Sequence, residues 1–384
     1  MSIREEKKVI AASVMEYLAQ VPDPRMARRR DHPLVNVLVI ALLAVLCGAD
    51  AFTDMEEFGK QKRDFLATFL DLSKGIPSHD TFGRVFALIK PTSLQEAFRQ
   101  WVNSLVEVTG GEVVAIDGKT LRRSFRDAGN KAFVHMVSAW ATSNGAVLGQ
   151  LRTEAKSNEI TAIPRLLELL QLKGAVVTID AAGCQKEIAS KIVDGGADYV
   201  LAVKDNQPTL RADIDASFAA ATEREDFERV VDFAETTEKG HGRTETRRCM
   251  VYRDLSDISQ REKWANLGCI ILIDAERTVN GETSSERRLY ISSNQRLSAK
   301  DALSTVRRHW GIENGLHWVL DLAFREDDCR VRAGNAAENF AVLRHFTINL
   351  LKKTKSKGGI RIRRLKAGWD NAFLLQVLFG GGTE

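Results

Sequence analysis

Three acids are notable for what surrounds them. Asp117 ends the apolar run of "GGEVVAIDGKTLRRS" and is followed by Lys119, Arg122 and Arg123. Asp180 ends a second apolar run, "AVVTID". Glu313 lies in "RRHWGIENGLHWVLD", among large side chains. Carboxylates on neighbouring strand ends repel one another, and a divalent cation relieves the repulsion. Oxygen-rich sites of this kind suit Mg2+ or Mn2+. Either aspartate alone is explained by capping of the next segment; at equivalent positions the two suggest a shared cation.

The third acid has a different setting. Val306, Trp310, Glu313, His317 and Leu320 recur at three- and four-residue intervals, so they share one helical stripe. Glu313 is therefore expected on an inward face, where an unpaired carboxylate is costly. It needs a metal, a proton or a partner such as Arg307, Arg308 or His317. Gly311 and Gly315 each weaken a helix by ~1 kcal/mol relative to Ala, which suggests close approach by another group. The "GKT" at 118–120 is not a phosphate-binding loop, because position 113 is Val where that loop needs Gly.

The elements that must hold these acids follow from periodicity. "EVVAID", "FVHMVSAWAT" and "GAVLGQLRT" read as three strands, the last two joined at Ser143, Asn144 and Gly145. A helix over about 158–172, the strand "AVVTID", the helix "QKEIASKIVD" and the strand "YVLAVK" complete the series. That order predicts an α/β unit whose first three strands form a meander. In open α/β sheets, ligands gather at the carboxyl edge of the strands.

Residues about 223–298 read as a β-rich insertion, and a strong helix is expected over about 299–325, with more over 335–352. Residues 1–108 read as all-helical. The apolar run "LVNVLVIALLAVL", residues 34–46, has 13 residues, and a membrane span needs about 20. It predicts a buried helix and no membrane association. "GIPSHDTF" predicts a helix start at Ser78, with His79 and Asp80 serving capping and turn chemistry.

Of the 384 residues, 44% are hydrophobic and 28% charged, as in an ordinary globular protein. The net charge of +4 is too mild to prove a nucleic-acid partner, but its distribution is uneven. Arg25, Arg28, Arg29 and Arg30 cluster near the N-terminus. Residues 352–366 hold eight Lys or Arg and no acid. Such blocks are solvated surface or phosphate-binding footprints. The five scattered cysteines include no CxxC pair, which argues against a zinc site or a disulfide framework. A cytoplasmic protein is expected.

The order strand-end Asp, second strand-end Asp, then helical Glu after a β insertion resembles the DDE transposases of bacterial insertion sequences. "PSHDTFGRVF", "AIDGKTLR", "KSNEITAIPRLL", "VKDNQP", "KGHGRTETR" and "HWGIENGLHWVLDLAFREDDCRVR" resemble its H-repeat-associated branch. The resemblance implies a ribonuclease-H-like catalytic core over 109–352, preceded by a helical N-terminal domain over 1–108 and followed by a basic tail over 353–384. It implies Asp117, Asp180 and Glu313 as a triad holding Mg2+ or Mn2+. Lys119, Arg122, Arg123, Lys204, Arg307, Arg308 and His317 would then contact DNA phosphates. The wider group often carries Tyr, Arg and Lys seven before, four before and seven after the Glu; here those positions hold Val306, His309 and Leu320. The implied activity is cutting and joining of double-stranded DNA at the element's ends, by a homo-oligomer on DNA; the alternatives are a metal-dependent nuclease of the same fold without strand transfer, or a degenerate relative that only binds DNA. The helical region is expected to contact DNA or a second protomer and to be dispensable for folding of the core.

Overall fold

The computed structural model describes residues 14–105, 110–121, 134–153, 159–224, 226–240 and 242–379. The boundary expected at 108, with Arg122 and Arg123, lies outside them. The apolar run near the N-terminus forms helix α1 (Leu34–Leu46), buried on nearly every face. Its one polar side chain on a buried face, Asn36, donates to the Asp71 carbonyl at 2.6 Å. Helices α2 (Phe52–Gln61), α3 (His79–Leu88) and α4 (Pro91–Leu105) follow. Ser78 caps α3 by accepting from the Thr81 amide, and the His79 ring meets Glu56 at 2.6 Å.

A sheet then forms from β1 (Val113–Leu121), β2 (Val134–Ala141), β3 (Ala146–Arg152), β4 (Val176–Ile179) and β5 (Asp198–Val203). Helices α5 (Glu159–Leu169) and α6 (Lys186–Asp194) make the crossovers, and α7 (Pro208–Thr222) follows β5. β1, β2 and β3 pair antiparallel, while β1, β4 and β5 run parallel. This mixed five-strand unit is the ribonuclease-H-like core. The insertion is not a separate body. Its strands β6 (Val231–Gly240), β7 (Arg243–Tyr252), β8 (Cys269–Val279) and β9 (Glu282–Ser292) extend the same sheet, with β9 antiparallel to β5. The full order is β3-β2-β1-β4-β5-β9-β8-β7-β6.

The chain closes with α8 (Ala299–His309), a π-helical turn (Glu313–His317), α9 (Trp318–Phe324) and α10 (Ala336–Lys353). α10 is buried almost all round, because β3 covers one side and α1, α3 and α4 cover the other. Asn349 exchanges hydrogen bonds with the Val147 backbone on β3. Asn339 donates to the Phe86 and Ile89 carbonyls at the end of α3. The helical region and the sheet therefore share one apolar core.

The segment expected as a basic tail instead forms α11 (Ile360–Trp369) and α12 (Asn371–Phe379). Its basic composition hides an apolar face of Ala367, Leu374, Val377 and Leu378, all buried. Arg364 is buried with them, donating to the Val45 carbonyl at 2.7 Å and lying 4.1 Å from the Phe324 ring centre. Among the described residues, no helix is long and apolar enough to cross a membrane.

Candidate metal centre

Asp117 is not at a strand end. β1 continues to Leu121 because β2 pairs with it along that length, Asp117 standing opposite Ser138. What ends is the pairing with β4, whose last partners are Ile116 and Ile179. The opening begins at the next residue on each strand, and those residues are Asp117 and Asp180. Asp117 Oδ1 accepts from the Gly118 amide at 2.8 Å. Asp180 Oδ1 accepts from the Ala182 amide at 3.1 Å, capping the turn that leaves β4. Both aspartates and Glu313 line one cleft of ≈ 590 Å³.

The late helix is not continuous. It stops at His309 and resumes as a π-helical turn, whose wider winding breaks the 3.6-residue phase. The expected stripe therefore splits. Val306, His317 and Leu320 are buried, whereas Trp310 is 49% exposed and the Glu313 side chain 53% exposed. Glu313 lines the cleft with its side chain half exposed, so its charge is not forced inward. Gly315 permits this geometry, since a Cβ there would sit 2.8 Å from the Trp140 ring. The close approach inferred from that glycine is made by a β2 side chain.

His317 joins the acids from below. Its Nδ1 lies 3.1 Å from Glu313 Oε2 and 3.6 Å from Asp117 Oδ2. One ligand atom from each of Asp117, Glu313 and His317 falls within 4.8 Å of the others. Burial is the main cause that raises the Asp117 carboxyl to about 7, reinforced by the charges of Asp180, Glu159 and Glu313 and opposed by the Gly118 amide. Burial likewise lowers the basicity of His317, and its buried Nε2 has no hydrogen-bond partner among the described residues.

Residues 109–350 match the family described as "Transposase DDE domain", and residues 15–102 match the "DDE_Tnp_1-associated" region. The chain belongs to the DDE transposase family. It is 40% identical over 379 residues to an H repeat-associated putative transposase, YhhI, of Escherichia coli strain K12, across 97% of this chain and 99% of that one. The putative protein YbfL of the same strain matches to the same extent. The putative transposase YncI of Escherichia coli O157:H7 is 41% identical over 372 residues, covering 95% of this chain and 94% of that one. A piggyBac transposase synaptic complex with hairpin DNA aligns at a TM-score of 0.43 and 9% identity over 97% of this chain and 81% of that one, too distant to inform the site.

Several basic residues expected to face phosphates in this DDE family member have other work. Lys119 is mostly buried, pairs with Asp321 on α9 and lies 3.8 Å from Glu326. Glu326 in turn meets Arg344 of α10 at 3.2 Å, both side chains nearly inaccessible. Lys119 therefore ties β1 to α9. His317 is 5% exposed and serves the carboxylates instead of a surface. Arg307 pairs with Glu238 of β6 at 2.8 Å, and Arg308 lies exposed on α8. At the N-terminus, Arg25 is buried against Asp23 and the His32 carbonyl, which removes it from the expected basic surface.

Lys204 does line the cleft, and it is joined by three arginines the spacing did not single out: Arg211, Arg287 and Arg288. Arg288 lies 5.3 Å from the ring centre of the exposed Trp310. The only sequence signal of Arg287 and Arg288 is that they open the apolar run "RRLYISS", and their place in the cleft depends on β9 pairing with β5, whereas Arg211 comes from α7. His309, standing where the wider group has Arg, contacts Thr178 Oγ1 at 3.0 Å; burial lowers its pKa.

Proposed function

We propose that this chain cuts and joins DNA at the ends of its own mobile element, by divalent-metal-dependent phosphoryl transfer. The observation that carries the reading is the convergence of Asp117, Asp180 and Glu313 on one cleft, at the point where β1 and β4 separate. Asp117, Glu313 and His317 offer two carboxylates and one imidazole at short separation, a donor set that Mn2+ accepts readily and Mg2+ accepts through its oxygens. Asp180 lines the same cleft and acts on Asp117 by its charge. A divalent cation held there would supply the charge that activates a water or 3′-hydroxyl and stabilises the leaving oxygen at phosphorus.

The chain's own groups do the rest. Asp117, raised to about 7, must give up its proton before it can act as a ligand, so the centre assembles best above neutral pH. Lys204 lines the same cleft and would neutralise the phosphates of a strand laid there. Arg211, Arg287 and Arg288 line it too, paired with Asp205, Asp274 and Glu286, and would exchange those carboxylates for phosphate. The apolar wall of Val200, Ala202, Leu289, Val306 and Ile312 limits water, which strengthens each charge interaction inside. Action by a homo-oligomer on paired DNA ends belongs to the same reading.

The test is incubation of the full chain with element-end DNA and target plasmid in Mg2+ or Mn2+. Cleavage followed by joining of pre-cut ends supports the transposase reading. Cleavage without joining indicates a nuclease of the same fold, and binding without cleavage a degenerate relative.

A further inference from the structure

On the face of the sheet opposite the Asp117 carboxylate lies a hydrogen-bonded chain that the proposed chemistry does not use. Thr120 and His135 are cross-strand partners on β1 and β2. Thr120 Oγ1 lies 2.8 Å from His135 Nδ1, and His135 Nε2 lies 2.7 Å from Glu159 Oε1. A carboxylate only accepts, so Nε2 carries the proton. In the neutral ring Nδ1 then accepts from the Thr120 hydroxyl. Both ends of the imidazole are thereby fixed, and with them the position of the carboxylate.

Glu159, the first residue of α5, rests against the residue after Asp117. A Cβ at Gly118 would sit 2.0 Å from Glu159 Oε1 and 2.6 Å from His135 Nε2, so only glycine leaves room for the pair. The same Gly118 donates its amide to Asp117 Oδ1 at 2.8 Å. Glu159 thus borders the peptide that orients the Asp117 carboxylate. Its charge acts on Asp117 in the same sense as those of Asp180 and Glu313.

We propose that Thr120, His135 and Glu159 form a positioning chain that holds the Asp117–Gly118 peptide and adds negative potential behind it, raising the centre's affinity for its divalent cation. Glu159 is a positioning residue, acting through Asp117 and not as a ligand itself. Groups behind a metal site commonly set affinity by ten- to a hundredfold. The inference rests on the metal-centre reading proposed above.

The experiment is Mn2+ titration of the full-length protein at pH 7.5, followed by the electron paramagnetic resonance of free Mn2+. The thermal midpoint of each metal-free variant is measured alongside. Wild type should bind and Asp117→Asn should not; if wild type fails to bind, or Asp117→Asn binds equally well, the metal-centre reading fails. Given that control, Glu159→Gln should weaken Mn2+ about tenfold with little change in thermal midpoint. Gly118→Ala, which displaces the carboxylate from its seat, should weaken binding similarly, and the double variant should be no weaker than the single ones. Wild-type affinity in Glu159→Gln, or additive losses in the double variant, would overturn the positioning role. Glu159→Asp, which keeps the charge, should recover part of the affinity; no recovery would also count against it.

Discussion

His317 Nδ1 lies 3.1 Å from Glu313 Oε2, across the π-helical turn that separates them by four residues. The same nitrogen is 3.6 Å from Asp117 Oδ2, so the imidazole bridges the helical acid and the strand acid. His317→Ala removes that bridge and opens a buried hole. Mn2+ affinity should fall by about ten- to a hundredfold, as for other groups that orient carboxylates. DNA affinity in EDTA should stay within about threefold of wild type, because the phosphate-neutralising groups are untouched. A filter-binding assay beside the Mn2+ titration separates the two. Loss of DNA binding with intact Mn2+ binding would return His317 to the phosphate-contact role.

The buried pair of Glu326 and Arg344 yields a stability prediction. Glu326→Gln leaves the Arg344 guanidinium without its charge partner in a nearly inaccessible place. Breaking one partner of a buried pair costs about 3–5 kcal/mol. Asp321→Asn removes only the more exposed acid facing Lys119, so it should cost far less. Denaturant unfolding of both variants checks the order. Equal stabilities would mean that the pair carries no net burial cost.

How much of this was legible beforehand depends on how local each signal is. The helix Leu34–Leu46 coincides with the apolar run, since an uninterrupted stretch of that length has one way to satisfy its backbone. Asp117 and Asp180 were readable as neighbours because each follows a run buried on both faces, and parallel pairing puts the runs in register. Glu313 lines the cleft, but not as part of the buried stripe from which it was singled out. A 3.6-residue stripe assumes an unbroken α-helix, and the π turn moves the acid from the interior to the cleft wall. Lys119 looked like a phosphate contact because its partners, Asp321 and Glu326, are about two hundred residues away in sequence. The basic C-terminal segment concealed its apolar face in the same way.

Removal of residues 1–105 should leave an insoluble or unfolded remainder, contrary to the expectation of a dispensable domain. Those helices cover α10 and pack Phe98 against Phe346, with ring centres 4.8 Å apart. Each buried Leu, Val or Phe left exposed forfeits about 1.5–3 kcal/mol. Circular dichroism and soluble yield of the truncated chain decide the point. A soluble, cooperatively melting 106–384 fragment would show that the core stands alone.

The raised Asp117 carboxyl makes the stability of the metal-free protein depend on pH. Its folded pKa of about 7 exceeds the ordinary 3.8, so proton binding favours the folded state. That contribution is complete below about pH 3.8 and is lost as pH rises through 7, amounting to ~2–4 kcal/mol from this one carboxyl. The thermal midpoint in EDTA should therefore fall between pH 5 and pH 8. Asp117→Asn should flatten that fall and raise the midpoint at pH 8, and saturating Mn2+ should do the same for wild type. An unchanged slope in Asp117→Asn would place the titrating group elsewhere.

The most direct test of the central claim is cleavage of element-end DNA by wild type, Asp117→Asn, Asp180→Asn and Glu313→Gln, assayed with Mg2+, with Mn2+ and with EDTA. The account predicts cleavage by wild type only when a divalent ion is present, loss of at least about a thousandfold in each variant, and DNA affinity within a few-fold of wild type throughout. Cleavage by wild type in EDTA, or at the wild-type rate by any one of the three variants, would contradict it.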